Sequence, residues 1–313
     1  MSMFGWMLGK DDMPIDLKSA QSAITELVKE RDSLHAKVAE LEGDKGLGGK
    51  TVFITGAGGD IGRCASVALC KQGAKLFLVD AAEEPLNETK RIVDELNSER
   101  GGGGSETVAM KADVTDVASV NAAVKAAEER FGQIDALFNN AGVQGAMQPL
   151  DEYPVEDFET VMRVNVTGAF IVMQAVANSM KATGGGTIVN TASVAALRGT
   201  PTMVAYVASK AAVIGMTLTA AKDLAPHNIR VNALSPALIG PGKLWDRQNE
   251  MHAASGSKYF DSDPAKVAAN KVGAVPLGRL GTMDEVIEGA CFLLSKRSSY
   301  VTGHNLVISG GLA

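Results

Sequence analysis

Apolar residues recur along this chain with two different periods, and the change of period divides it. From Leu17 to Leu41 they fall on alternating steps of three and four, at Leu17, Ala20, Ile24, Leu27, Leu34, Val38 and Leu41. Written as heptads, Leu17, Ile24, Arg31 and Val38 hold the a positions, and Ala20, Leu27, Leu34 and Leu41 the d positions. That is the seam of a coiled coil, of a helix docked on a partner protein, or of one packed on its own chain. Pro14 fits the start of this helix and Gly43 its end. Acids and bases on both faces oppose a membrane-surface role. Residues 1–45 therefore read as an N-terminal helical extension, followed by a Gly-rich linker from Asp44 to Lys50 and a main domain spanning 46–313.

In the main domain, short apolar runs alternate with segments of helical period. The strand-like runs are Thr51 to Thr55, Lys75 to Val79, Thr107 to Lys111, Ala136 to Asn139, Thr187 to Thr191, Arg230 to Leu234 and Asn305 to Ile308. Helical patterns cover Ile61 to Lys71, Glu84 to Glu99, Ala118 to Phe131, Glu156 to Met180, Met203 to Leu224 and Met283 to Leu294. This alternation predicts an α/β fold: one domain with a doubly wound, parallel, seven-stranded sheet of Rossmann type. Gly101 to Gly104 reads as a flexible insertion before the third strand. Residues 240–271 have no place in the alternation and read as a lid over substrate.

Composition narrows the class. With 46% hydrophobic and 21% charged residues, a large core is expected. The net charge of −6 opposes a nucleic-acid partner. Cys64, Cys70 and Cys291 are odd in number and lack metal-ligand spacing, which fits buried, reduced thiols and a cytoplasmic location, with an organelle left open. No run approaches the roughly 18 apolar residues of a membrane span. Met1 to Lys10 is too short for a secretory signal, and Asp11, Asp12 and Asp16 fit a transit peptide badly. His227 and His252 show no metal-ligand spacing and are expected at the surface, so no metal is expected.

Two constellations carry chemistry. In Tyr206-Val-Ala-Ser-Lys210, positions i and i+4 share one helix face. A free phenol titrates near pH ~10, and a neighbouring ammonium lowers that value. A phenol tuned in this way can take a proton from an alcohol or return it to a carbonyl, and Ser193 can hydrogen-bond the same oxygen. At the other end, Thr55-Gly-Ala-Gly-Gly-Asp-Ile-Gly62 follows the first strand and opens the first helix. Glycines there allow a tight turn and close approach to a pyrophosphate at the helix N-terminus. Asp80 ends the second strand, where a carboxylate accepts from a ribose diol and repels a 2′-phosphate. The expected cofactor is therefore NAD rather than NADP.

From about Lys50 to Ala313 these segments, in this order, resemble the short-chain dehydrogenase/reductase family. Besides the loop, the matching residues are Asp113 in Ala-Asp-Val, Asn139-Asn-Ala-Gly142, Asn165 in Val-Asn-Val, and Ser193, Tyr206 and Lys210. The resemblance implies that Tyr206 is the general acid/base and that Ser193 orients the substrate oxygen. It implies that Lys210 tunes Tyr206 and binds the nicotinamide ribose, while Asn165 holds a proton-relay water. It implies a cofactor lined by Gly56, Gly58, Asp60, Ile61, Gly62, Asp80, Asp113, Val114, Asn140, Ala141, Gly142, Tyr206, Lys210, Pro236, Leu238 and Ile239. It also implies a homodimer or homotetramer assembled by the helices Glu156 to Met180 and Met203 to Leu224. The chain departs from the family pattern at Asp60, which replaces a glycine and reads as the N-cap of the first helix, with Gly58 and Gly59 giving the close approach. Ala237, Pro241 and Ser309 are further departures.

Asn140 to Ala146, Pro236 to Arg247 and Ser257-Lys-Tyr-Phe resemble polyol dehydrogenases of the xylitol-dehydrogenase type. Gln144 either hydrogen-bonds a substrate hydroxyl or satisfies its own loop, and Trp245 either covers the pocket or packs. The expected function is hydride transfer between a secondary alcohol, such as a polyol or sugar alcohol, and NAD. The alternatives are an NAD(P)H-dependent ketone or 3-oxoacyl reductase, and a non-catalytic assembly subunit docked by its N-terminal helix.

Overall fold

The computed structural model describes residues 22–31, 33–34, 46–99 and 106–313. The expected helix ends at Pro14 and Gly43, the seam positions Leu17, Ala20, Val38 and Leu41, and the Gly101 to Gly104 insertion lie outside these residues. The chain divides into two units, Met1–Lys45 and Gly46–Ala313. In the first, residues 22–31 and 33–34 are helical.

The second unit is a seven-stranded parallel sheet. Its strands are β1 (Thr51–Thr55), β2 (Lys75–Asp80), β3 (Thr107–Lys111), β4 (Ala136–Asn139), β5 (Gly186–Thr191), β6 (Ile229–Pro236) and β7 (Asn305–Ile308), in the order β3-β2-β1-β4-β5-β6-β7. The helices are α1 (Asp60–Lys71), α2 (Glu83–Glu99), α3 (Val117–Phe131), α4 (Val155–Met162), α5 (Ala169–Thr183), α6 (Ala195–Arg198), α7 (Val204–Leu224), α8 (Lys243–Ala254), α9 (Pro264–Gly273) and α10 (Met283–Leu294).

Side chains alternate across a strand, so each strand feeds two cores. Val52 and Ile54 of β1, with Leu76 and Leu78 of β2, pack against α1, α2 and α10. Phe53 and Phe77 from the same strands face the other way and stack at 5.3 Å between ring centroids. They join the core made with α3, α5 and α7. The strands are apolar on both faces because helices cover both faces.

Three expectations are corrected here. The helix expected from Glu156 to Met180 is interrupted at Arg163–Gly168 by a π turn, with α4 before it and α5 after it. The 240–271 insertion is two helices, α8 and α9, packed on each other. Two helical stretches, Val155–Thr183 and Val204–His227, are long and apolar enough to cross a membrane, contrary to the reading of the sequence. Here Val172, Val176 and Met180 of the first, and Ala221 and Leu224 of the second, pack in the sheet core. All three cysteines are free thiols; Cys70 and Cys291 are buried and Cys64 only half-buried.

The sheet order reverses between β1 and β4, and ligands of such folds bind outside the carboxyl ends of the strands at that point. A buried polar ladder crosses this edge. The Asn139 amide donates to Asn190 Oδ1 (3.0 Å) and to the Ala169 carbonyl (2.9 Å), while Thr55 Oγ1 donates to Asn139 Oδ1 (3.3 Å). The Asn190 amide in turn donates to Thr217 Oγ1 on α7 (3.0 Å). Replacing Asn139 with Val leaves several buried groups unpaired, each costing about 1 kcal/mol. Asn139→Val is expected to destabilise by about 3 kcal/mol in all, read as a lower denaturation midpoint.

Candidate active site

The glycine loop is shaped by what its glycines touch. Gly56 adopts φ +65°, a left-handed value, and a Cβ there would lie 2.8 Å from Ala141 Cα. A Cβ on Gly62 would meet the Gly56 carbonyl at 2.1 Å, so α1 can pack on its own loop only with glycine at that position. At Gly58 a Cβ would press on Pro85 and Leu86. The Gly58 N–H donates to Asp80 Oδ2 and the Ala82 N–H to Asp80 Oδ1, both at 2.9 Å. The predicted ribose acid is thus held beside the loop. Arg63, which sequence reading passed over, reaches back from α1 to donate to the Gly58 carbonyl at 3.1 Å.

Asp60 is not the cap expected of it. Gly59 holds the N-cap position without a side-chain bond, and Asp60 is the first residue of α1, in the turn where a negative charge suits the helix dipole. Ile61 packs against the core formed with α1. Asp113 is exposed and accepts from the Thr115 N–H and hydroxyl, both at 2.8 Å. Val114 is buried and touches Gly168, where a Cβ would come within 2.8 Å of its Cγ2. Past β6, the Val194 N–H donates to the Pro236 carbonyl, and Gly281 pairs with Leu238 and Gly240 through backbone bonds on either side of Ile239.

The candidate catalytic set converges on the segment after β4. Thr55 Oγ1 accepts from the Asn140 and Ala141 N–H groups (3.0 and 3.1 Å). Buried Asn165, in the π turn, clamps Val143 by its backbone: Oδ1 accepts from the Val143 N–H (2.7 Å) and Nδ2 donates to the Val143 carbonyl (2.8 Å). The Asn165 amide also donates to Ser209 Oγ on α7 (3.0 Å). Its side chain is thereby occupied in holding the loop against α7. A Cβ on Gly142 would sit 3.0 Å from Asn165 Oδ1 and 3.4 Å from Lys210 Nζ, so Gly142 lets the loop pass close to both.

Lys210 and Tyr206 lie on one face of α7, as their spacing predicts. Lys210 is buried, and its Nζ donates to the Thr191 carbonyl at 2.7 Å and lies 5.7 Å from the centre of the Tyr206 ring. Burial pushes its ammonium down to about 8. Half-buried Tyr206 is pushed above its ordinary value by burial, and a hydrogen bond with Ser193 opposes the shift. The expectation that Lys210 lowers the Tyr206 value is therefore corrected: the lowering influence present comes from Ser193. Ser193 Oγ also accepts from the Ala195 N–H at 3.2 Å. Just before α7, Thr202 adopts φ +71°, uncommon for a β-branched residue, and its carbonyl accepts from the Gln148 N–H (3.0 Å).

On the substrate side, Gly145 turns at φ +74°, and Asp157 accepts from the Ala146 N–H (2.8 Å) and the Tyr153 hydroxyl (2.6 Å). This pins the loop that carries Gln144. Gln144 Oε1 accepts from Gln248 Nε2 of α8 at 3.2 Å. Trp245 is 7% exposed and packs between α8 and α9, with Lys271 Nζ 5.3 Å from its ring centre.

His252, expected at the surface, is 3% exposed. Its Nδ1 lies 2.8 Å from the Gln248 carbonyl and 2.9 Å from Lys271 Nζ, and its ring lies 4.1 Å from that of Phe260. Lys271 also donates to Asn249 Oδ1 at 2.7 Å. Burial pushes Lys271 down to about 8, and burial together with the Lys271 charge pushes His252 down to about 4. The cluster ties α8 to α9. His227 is exposed, as expected, and among the described residues no group of His, Cys, Asp and Glu is arranged to hold a metal.

A cradle closed to side chains at three glycines, a helix N-terminus and a carboxylate beside it fit a dinucleotide, and the Ser193–Tyr206–Lys210 set lies along the same sheet edge. These are the parts of a nicotinamide-dependent oxidoreductase. The family model for short chain dehydrogenases matches residues 50–252, and the chain belongs to that family. It is 36% identical over 263 residues to levodione reductase of Leifsonia aquatica, covering 84% of this chain and 93% of that protein. To galactitol 2-dehydrogenase of Agrobacterium fabrum it is 35% identical over 266 residues, covering 85% and 98%. The crystal structure of NAD+-bound xylitol dehydrogenase matches it with a TM-score of 0.81 at 45% identity, covering 85% of this chain and 99% of that one.

The buried imidazole predicts a pH dependence. With its folded value depressed from 6.5 to about 4, His252 binds a proton in the unfolded chain before it does so in the folded one. The His252 contribution to stability should be level above pH 6.5 and fall as pH drops from 6.5 towards 4, by about 3 kcal/mol. His252→Leu is expected to flatten that slope, measured as denaturation midpoints at pH 7 and pH 5.

Proposed function

We propose that the protein is an NAD-dependent dehydrogenase of secondary alcohols that acts on polyols or sugar alcohols. The observation that carries this reading is the convergence of Ser193, Tyr206 and Lys210 on the edge where Asp80 is bonded to the glycine loop. Gly56, Gly58, Gly62 and Asp80 would hold the adenosine half of the cofactor, with Asn140 to Gly142 and Lys210 towards the nicotinamide half. When bound, the nicotinamide ring supplies the hydride acceptor and a positive charge that favours phenolate.

Ser193 Oγ holds the substrate hydroxyl beside Tyr206 Oη, and Tyr206 takes the hydroxyl proton as general base. In the reverse direction the same phenol returns the proton to a carbonyl oxygen. Lys210 keeps a mobile proton next to the phenol, and its burial costs stability that activity requires. Asn165 keeps Val143, and with it the loop bearing Gln144, in register with α7. The acid at Asp80 favours a free ribose diol, and the resemblance to xylitol and galactitol dehydrogenases favours a polyol. Reduction of a ketone is the second reading, supported by the similarity to levodione reductase. Exposed Phe170 and Leu218 support assembly into a dimer or tetramer through the helices that carry them, and the N-terminal helix would add an interface.

The test is cofactor reduction, followed by absorbance, with NAD and NADP against polyols, cyclic alcohols and simple secondary alcohols. Turnover is expected with NAD and a polyol; turnover confined to carbonyl reduction would favour the second reading. Tyr206→Phe should lose about 10²–10⁴-fold in kcat while NAD affinity by calorimetry stays within a few-fold. Asp80→Ser combined with Ala81→Arg should shift the NADP-to-NAD ratio of kcat/KM upwards by roughly 10–100-fold.

A further inference from the structure

Gln248 on α8 and Gln144 on the loop after β4 are 104 positions apart in the chain, yet their amides meet at 3.2 Å, with Gln248 Nε2 donating to Gln144 Oε1. Gln144 Nε2 is buried and has no hydrogen-bond partner among the described residues. A buried NH2 without a partner is costly, and each such group asks for an explanation. A head-to-tail amide pair keeps two unspent groups: the NH2 of the accepting glutamine and the C=O of the donating one.

Both glutamines are held firmly. The Gln144 loop is clamped on one side by Asn165 through Val143 and on the other by Asp157 through Ala146. Past that point, Gln148 is bonded to Thr202, four residues ahead of Tyr206. The loop therefore runs between two attachments to the segment that carries the catalytic tyrosine. On α8, Lys271 bonds Asn249 and contacts His252 and Trp245, and the Gln248 carbonyl lies against His252.

We propose that Gln248 is a specificity-determining residue that works with Gln144 as a single diol reader. One substrate hydroxyl accepts from Gln144 Nε2, and a neighbouring hydroxyl donates to the side-chain oxygen Gln248 Oε1. The class selected is a polyol with a second hydroxyl beside the carbinol that reacts; a simple secondary alcohol satisfies neither group fully. A site built to hydrogen-bond a hydroxyl rejects analogues that lack it because its polar groups are then left unpaired. This inference rests on the polyol reading of the site.

The experiment measures kcat and KM with NAD for the best polyol of the panel and for cyclohexanol, in the wild type, Gln248→Leu, Gln144→Leu and the double variant. The polyol-to-cyclohexanol ratio of kcat/KM is expected to fall roughly tenfold in Gln248→Leu, mainly through the KM for the polyol. Because the two amides act as one unit, the double variant should lose about as much as either single one. Gln248→Asn, which keeps the amide on a shorter arm, should recover part of the ratio. A purely structural latch would lower both substrates together, and an unchanged ratio would overturn the proposal. Additive losses in the double variant would also overturn it. If the wild type oxidises cyclohexanol but no polyol, the polyol reading falls and the diol reader with it; if it oxidises a polyol and the ratio does not move, only the diol reader falls.

Discussion

Thr55, Asn139 and Asn190 at the C-terminal edge of the central strands, and Thr217 facing them from α7, are buried, and each is satisfied by another of the four or by nearby backbone. In a low-dielectric interior a polar group left without a partner costs more than most single contacts supply, so such a ladder is stable in only one arrangement. Asn139 and Asn190 are register partners in β4 and β5. A slip of one residue in either strand would turn its amide to the opposite face of the sheet, away from its partners. The same ladder fixes the helices, because Asn139 donates to Ala169 at the start of α5 and Asn190 to Thr217 on α7. The site is built outward from it: Thr55 holds the backbone of Asn140 and Ala141, and Asn140 to Gly142 bring the loop to Lys210 and Asn165.

Two lysines, Lys210 buried and Lys271 half-buried, stand on the two sides of this frame, neither of them paired with a carboxylate among the described residues. Lys210 spends its ammonium on the Thr191 carbonyl and on the face of Tyr206. Lys271 lies between the Trp245 and Phe260 rings and bonds Asn249. Burial depresses both to about 8, so each is a proton held at a free-energy cost. At Lys210 the charge is held beside a phenol, which is where the proposed acid–base chemistry needs it. At Lys271 it joins α8 to α9, with a neutral imidazole beside it. The arrangement separates a floor held by the ladder from the α8–α9 pair held by its own cluster, and the Gln144–Gln248 contact links the two.

Much of this was legible along the chain. β1, β3, β4 and β7 run between the residues expected of them, and the other three strands differ by no more than two residues at either end. The glycine loop, Asp80 and the Tyr206–Lys210 spacing were readable for the same reason: each depends on residues close in sequence. The π turn at Arg163–Gly168 was not, since Arg-Val-Asn-Val-Thr-Gly continues a helical pattern and only the docking of Asn165 on Val143 and Ser209 accounts for the break. Asp60 looked like a cap because Asp often is one, but the backbone begins its helix a residue earlier.

The sequence by itself determined the sheet, its covering helices and the placing of Tyr206 and Lys210 on one helix face, because hydrophobic period and short-range spacing are encoded within a few residues. Tertiary structure alone decided that His252 is buried, that Trp245 packs beneath Lys271, that Arg63 folds back on Gly58 and that Gln248 meets Gln144. Most of these contacts join residues many positions apart, and the environment of every one depends on how the elements pack. No local pattern reveals which polar side chains will be left to satisfy one another once the apolar faces have closed.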